Sequence, residues 1–260
     1  AFALGILSLL GSRVPLSLKI FLTSLAIFDD VGAIVIIALF YTAELSVLSL
    51  LVAAACVGVL ALLANKRIMA PGPYLVVGLV LWVAMLKSGV HATLAGVLLA
   101  MFIPMHHTSG QADDSPLRRM EHGLHPWVAY MVLPIFAFAN AGLNLQGLGA
   151  EQVLHPVTLG VASGLFLGKQ LGVMLCVWAC VRMGWAPLPA GATWGMVYGI
   201  AVLTGVGFTM SLFIGGLAFT GEQPFDERLG IVLGSLLAGV WGYLVLRSTT
   251  KAPAAAGATA

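Results

Sequence analysis

Charge is what this sequence has least of. Of 260 residues only 8% are Asp, Glu, Lys or Arg, while 60% are apolar. Soluble domains carry about 25% charged residues, so twelve Lys and Arg with ten Asp and Glu cannot coat a water-soluble globule. Disorder is excluded as well, because it requires the opposite composition. A net charge of +2 offers no basic field to nucleic acid. Cysteine is scarce: Cys56, Cys176 and Cys180 all lie inside apolar runs, which implies no disulfide framework. Alternation with a period of two is missing too, and with it the signature of a transmembrane barrel. What remains is an all-α polytopic membrane protein.

The apolar runs predict spans at about 17–43, 46–64, 74–86, 89–104, 125–143, 154–181, 193–219 and 226–247, each judged against the ~20 residues that cross a bilayer. Residues 1–10 read as the second half of a further span. Together these make one transmembrane domain over 1–247, followed by a small, Ala-rich tail at 248–260 expected to be disordered and cytoplasmic. The chain opens Ala-Phe-Ala-Leu-Gly, with no Met and no signal-peptide pattern. A half-span that starts at mid-bilayer cannot satisfy its own backbone there, so the expectation is a fragment with residues missing upstream.

Cations set the orientation. If the connection holding Arg13 and Lys19 is cytoplasmic, Lys66, Arg67, Arg118, Arg119, Arg182, Arg247 and Lys251 fall on the same side. Only Lys87 and Arg228 fall opposite, among Glu44, Glu151, Glu222, Asp226 and Glu227. The twelfth cation, Lys169, belongs to neither side.

Three charges stand at bilayer depth. Asp29 and Asp30 lie a dozen residues into LAIFDDVGAIVII, about 18 Å along a helix axis. Two central carboxylates oppose insertion by about 5–7 kcal/mol, close to what the span's Leu, Ile, Val and Phe return. Lys169, in GLFLGKQLGVML, is midway through a 28-residue run. Intramembrane ionisable groups mark ion or proton pathways unless they serve as structural ion pairs, and both readings require Lys169 to meet a carboxylate. Adjacent helical side chains diverge by about 100°, so only one of the two aspartates is expected to face an ion while the other is free for Lys169. Further on, VLTGVGFTMSLFIGG carries Gly205, Gly207, Thr209 and Ser211 in an apolar segment. Glycines there serve close packing or an unwound stretch; in the second case backbone carbonyls and half-helix ends would line an ion path. Glu121, His122 and His125 cluster within five positions before Pro126, read as a helix start, and His titrates near neutrality. Pro134 reads as a kink. His106 and His107 lie in a polar loop and receive no role.

Four runs, LSLLGSRVPLSLKIFLTSLAIFDDVGAI, LKSGVHATLAGV, EHGLHPWVAYMVLPIFAFANAG and GVGFTMSLFI, resemble the NhaA Na+/H+ antiporters of bacterial inner membranes, in order and over residues 1 to about 247. The resemblance implies a twelve-helix, inverted-repeat transporter with two discontinuous crossing helices. This chain would keep it from the second half of the fourth helix onward, with a C-terminus in the cytoplasm. GVGFTMS would be the extended stretch of one crossing helix, and Ala1 would fall inside or just after that of the other. A further aspartate two residues before Ala1, the first three helices and the hairpin that joins homodimers would be missing. Asp29 and Asp30 match the paired ion-site aspartates, with Asp30 the main Na+ ligand. Lys169 matches a lysine that pairs with the first aspartate or carries a proton. Relatives commonly have Pro where this chain has Gln170. Glu121, His122 and His125 match a cytoplasmic-mouth cluster linked to pH activation, and His91 a histidine that tunes the pH profile.

The implied activity is electrogenic, pH-regulated exchange of Na+ or Li+ for H+. The ions would be cargo, no cofactor is expected, and lipid is the surrounding partner. Three other readings stand beside it. A Na+-coupled solute symporter would need a roomier polar cavity than these spans suggest. An intramembrane aspartyl protease would need two carboxylates facing one pocket. A scaffold gives no reason to bury three charges.

Overall fold

The computed structural model describes residues 2–40, 46–105, 115–142, 149–219 and 227–250. Among these described residues all regular structure is helical: α1 Phe2–Ser8, α2 Leu16–Phe40, α3 Val47–Asn65, α4 Pro71–Lys87, α5 Thr93–Phe102, α6 Pro116–Trp127, α7 Leu133–Asn140, α8 Ala150–Val153, α9 Pro156–Ser163, α10 Lys169–Arg182, α11 Trp194–Leu203, α12 Phe208–Ala218 and α13 Glu227–Thr249. Wide π-turns join α6 to α7 over Val128–Val132 and α9 to α10 over Gly164–Gly168.

Among the described residues four stretches are long and apolar enough to cross a membrane: Leu16–Ile37, Val47–Asn65, Pro156–Arg182 and Glu227–Thr249. A fifth is broken, Trp194–Leu203 with Phe208–Ala218, bent by 44°. Helix also occupies the other segments read as spans, but α4 with 17 residues and α5 with 10 are shorter. At 1.5 Å per residue they reach about 25 and 15 Å, less than a hydrocarbon core of ~30 Å. The tail at 251–260, His106 and His107, and the position of Ala1 lie outside the described residues.

The chain forms two compact units. One comprises Ala1–Asp30 and Ala139–Ala260. Its centre is α13, whose buried face repeats small residues every fourth position: Gly230, Gly234, Ala238 and Gly242. This spacing keeps them in one ridge of the helix and lets neighbouring backbones come close. A side chain at Gly230 would strike the Thr158 backbone, at Gly234 that of Ala162, and at Gly242 the side chain of Leu203. α9, α11 and α12 pack on this face. An apolar cluster of Leu7, Leu18, Leu22, Val197, Ile200, Leu203 and Leu246 ties α1 and the first half of α2 to α11 and α13. Ser17 on α2 adds a hydrogen bond of 2.6 Å to the Ala190 carbonyl in the connection before α11.

The second unit is Val31–Phe138. Here α3, α4 and α5 enclose Cys56, Leu60, Tyr74, Leu81, Met85 and Ala95. α6 begins at Pro116, where the Ser115 hydroxyl accepts from the Arg118 amide. The sequence reading put a helix start at Pro126 instead. Pro126 lies inside α6, two residues before the π-turn begins at Val128. Ser115-Pro116 is the stronger start signal, an N-cap followed by a proline whose missing amide would be unpaired anyway. A proline deeper in a helix removes a backbone bond, and a wide turn just beyond it relaxes the ladder. Pro134, the second residue of α7, follows that same turn.

Candidate functional site

The first unit brings two irregular elements of its spans together. Between α11 and α12 the chain leaves the helix over Thr204–Gly207. Its backbone tightens into short-range bonds, Gly205 to Val202 and Val206 to Leu203, at 3.0 and 3.1 Å. Gly205 is seated against the Leu165 carbonyl in the π-turn that precedes α10, and a Cβ there would also press on Ala238. Only a residue with no side chain permits that approach. The Phe208 amide, at the half-buried start of α12, donates to the Ser235 hydroxyl of α13 at 3.2 Å. Ser235 is 7% exposed and holds one of the amides a helix start leaves over.

The break is shorter than the sequence reading expected. Gly205 lies within it and Gly207 closes it, but Thr209 and Ser211 belong to the first turn of α12 rather than to an unwound stretch. Phe208 onward can return to helix because Ser235 satisfies its first amide, a contact between distant segments that local composition does not reveal.

Four residues after Leu165, Lys169 opens α10. Its ammonium donates to the Asp29 carboxylate across 140 positions of sequence, at 2.5 Å. The pair lies on the outer face of the unit, with the Lys169 side chain 30% and the Asp29 side chain 53% exposed. Asp30, one residue on, is exposed and diverges from its neighbour by the helical angle. Of the two aspartates the structure gives Lys169 to Asp29, leaving the other carboxylate outside the pair. The chemistry is that of a charged group held by a counter-ion beside a second carboxylate able to take a proton or a hard cation, for which oxygen ligands are suited.

The second unit carries the other candidates. Glu121, His122 and His125 are exposed on α6, and their three- and four-residue spacing puts them on one face. His91 lies just before α5, its ring 3.2 Å from the Thr93 hydroxyl. Among the described residues no three His, Cys, Asp or Glu side chains are grouped as a metal site. Missed by the sequence reading were the π-turn at Gly164–Gly168, Ser235, and a hydrogen-bonded link from Gln170 to Tyr198. The glycines bracketing Leu-Phe-Leu were the one legible hint of the first.

An all-α architecture with several membrane-long apolar helices, one of them broken, defines an integral, multi-pass membrane protein. The model of the Na+/H+ antiporter 1 family matches residues 1–246, and the chain belongs to that family. It is 59% identical to the Na+/H+ antiporter NhaA of Rhodospirillum rubrum, over 98% of this chain and 66% of the relative. It is 57% identical to NhaA of Psychrobacter cryohalolentis, over 96% and 63%, and 55% identical to NhaA of Pseudomonas putida strain GB-1, over 97% and 65%. The chain thus spans about two-thirds of the length of these relatives.

Proposed function

We propose that this protein works as a secondary antiporter, exchanging Na+ or Li+ for H+, and not as an enzyme. The observation that carries the reading is the ion pair of Lys169 with Asp29, formed beside Asp30 between two apolar segments long enough to cross a membrane, Leu16–Ile37 and Pro156–Arg182. Family membership and relatives named as Na+/H+ antiporters support it.

In this reading Asp30 is the main ligand of the cation and Asp29 its second, with Lys169 holding Asp29 while the site is empty of metal. Proton and cation occupy the carboxylates exclusively, so each weakens the other's binding by the same coupling free energy. The break at Thr204–Gly207 supplies partial charges on either side: carbonyls ending α11 favour a cation, and amides opening α12 favour an anion. Gly205, Gly207, Thr209 and Ser211 line this path. Exchange follows once the site opens alternately to the two faces. Return of a lysine proton along with a carboxylate proton makes the cycle electrogenic. Glu121, His122, His125 and His91 adjust activity to pH, since imidazoles change charge between about pH 5 and 8. The protein sits in a bacterial inner membrane, with its C-terminus in the cytoplasm.

Proteoliposomes test this directly. Addition of Na+ or Li+ to vesicles holding an imposed proton gradient should collapse it, and Asp30→Asn should abolish the response. Full-rate exchange by Asp30→Asn would overturn the ligand assignment. A protease reading finds less support, because Asp29, the carboxylate next to Asp30 in sequence, is engaged by Lys169.

A further inference from the structure

We propose that Gln170 is a positioning residue, which sets the rotation of the first turn of α10 and so directs Lys169 to Asp29. Gln170 follows the lysine and is 6% exposed. Its side-chain amide uses both ends. The Nε2 group donates to the Phe166 carbonyl within the π-turn, and the Oε1 atom accepts from the Tyr198 hydroxyl of α11 at 2.9 Å.

The need for such a link comes from the π-turn. The Lys169 amide reaches back five residues, to the Gly164 carbonyl, rather than the usual four. One extra residue in a turn rotates everything after it by about 100° relative to a regular helix. Whether Lys169 faces Asp29 therefore depends on the wide turn persisting. Its own residues, Gly-Leu-Phe-Leu-Gly, offer no side-chain hydrogen bond to hold it, and its two glycines leave the backbone free to revert. Gln170 bonds the turn at Phe166 and anchors it sideways to α11, the helix that leads into the broken stretch. Lys169 is thereby fixed in rotation by a neighbour that touches neither aspartate.

The transport consequence rests on the antiport reading; the geometric one does not. Gln170→Met retains the volume and removes both hydrogen bonds, and Tyr198→Phe removes one. In proteoliposomes Gln170→Met should raise the KM for Na+ roughly two- to thirtyfold, the range for residues that act on a site without touching its ligand. The cause is an ammonium released from Asp29 and able to compete at Asp30. Tyr198→Phe should give a smaller rise, with kcat per inserted protein little changed in both. A purely structural part would lower the amount of inserted protein and kcat and leave KM alone, which overturns the proposal.

Cross-linking reads the geometry without transport. With Cys56, Cys176 and Cys180 replaced by Ala, an Asp29→Cys and Lys169→Cys pair in native membranes should be joined by a short bis-methanethiosulfonate. Adding Gln170→Met should cut the yield several-fold. An unchanged yield overturns the positioning role, whereas absence of Na+ exchange by the unsubstituted protein would overturn the antiport reading and leave cross-linking to decide on Gln170.

Discussion

Lys169 and Asp29 show how little a contact can contribute to stability while deciding function. In a pair held inside membrane spans the desolvation of two charges offsets most of their attraction, so replacing both partners together by neutral groups is often close to neutral for stability. Replacing both partners together, Asp29→Asn with Lys169→Met, should therefore lower Tm in detergent by less than about 4 °C for a chain of this size. Exchange should fall by more than an order of magnitude in the same variant. Differential scanning fluorimetry beside vesicle transport checks this, and a large loss of Tm with exchange intact would make the pair a brace rather than part of the ion path. At this scale the sequence was informative about which residues matter. Asp29, Asp30 and Lys169 stand out because almost nothing else in the spans is charged. Residue type and spacing did not say which aspartate the lysine takes; the resemblance pointed to the first, and the contact itself depends on the rotation of α10 after a π-turn encoded by ordinary Gly and Leu.

Among the elements, the broken span and the π-turn support each other through a backbone contact. Gly205→Val would drive a branched side chain into the Leu165 carbonyl and Ala238. Overpacking of this kind destabilises by about 1–3 kcal/mol, and the expected readout is a lower Tm with reduced membrane-inserted yield. Ser235→Ala tests the other side of the break. It strips the Phe208 amide of its acceptor and should reduce stability by about 1 kcal/mol, as loss of an N-cap does. Gly216→Ala, where a Cβ would meet open space, is the matched control and should behave as the unsubstituted protein. Helix positions were largely readable from apolar run length, yet irregularities inside helices were not. The break proved shorter than its glycines and hydroxyls suggested because a serine on another helix supplies the missing acceptor. α6 started ten residues before the expected point because Ser115-Pro116 overrides Pro126.

For the whole molecule, charge asymmetry makes a prediction about orientation. If Arg13, Lys66, Arg67, Arg118, Arg119, Arg182 and Arg247 share one side, as the alternation of the apolar runs predicts, the positive-inside rule predicts that the end of α13 faces the cytoplasm. A green fluorescent protein fused after Ala260 should fluoresce, and a periplasmic phosphatase fused there should be inactive; the reverse pattern would invert the topology. Activity should also respond to the histidine face of α6. Exchange by the His122→Ala, His125→Ala double variant should vary less steeply between about pH 6 and 8, the range in which imidazole changes charge. A pH profile identical to that of the unsubstituted protein would remove these residues from regulation.

Composition alone determined that this chain lives in lipid, that it is helical, and that three of its charges need a reason to be there. Those conclusions follow from free energies of transfer, which depend on residue type and run length and hardly on neighbours. Tertiary structure decided the rest: that Lys169 meets Asp29 and not Asp30, that Gly205 abuts the π-turn at Leu165, and that Gln170 joins α10 to α11. Each is a contact between segments far apart in sequence, and each depends on a helix rotation that one inserted residue changes by about 100°. Apolar content is a sum over residues and can be read along the chain, whereas rotation is a geometric relation that exists only once the helices are packed.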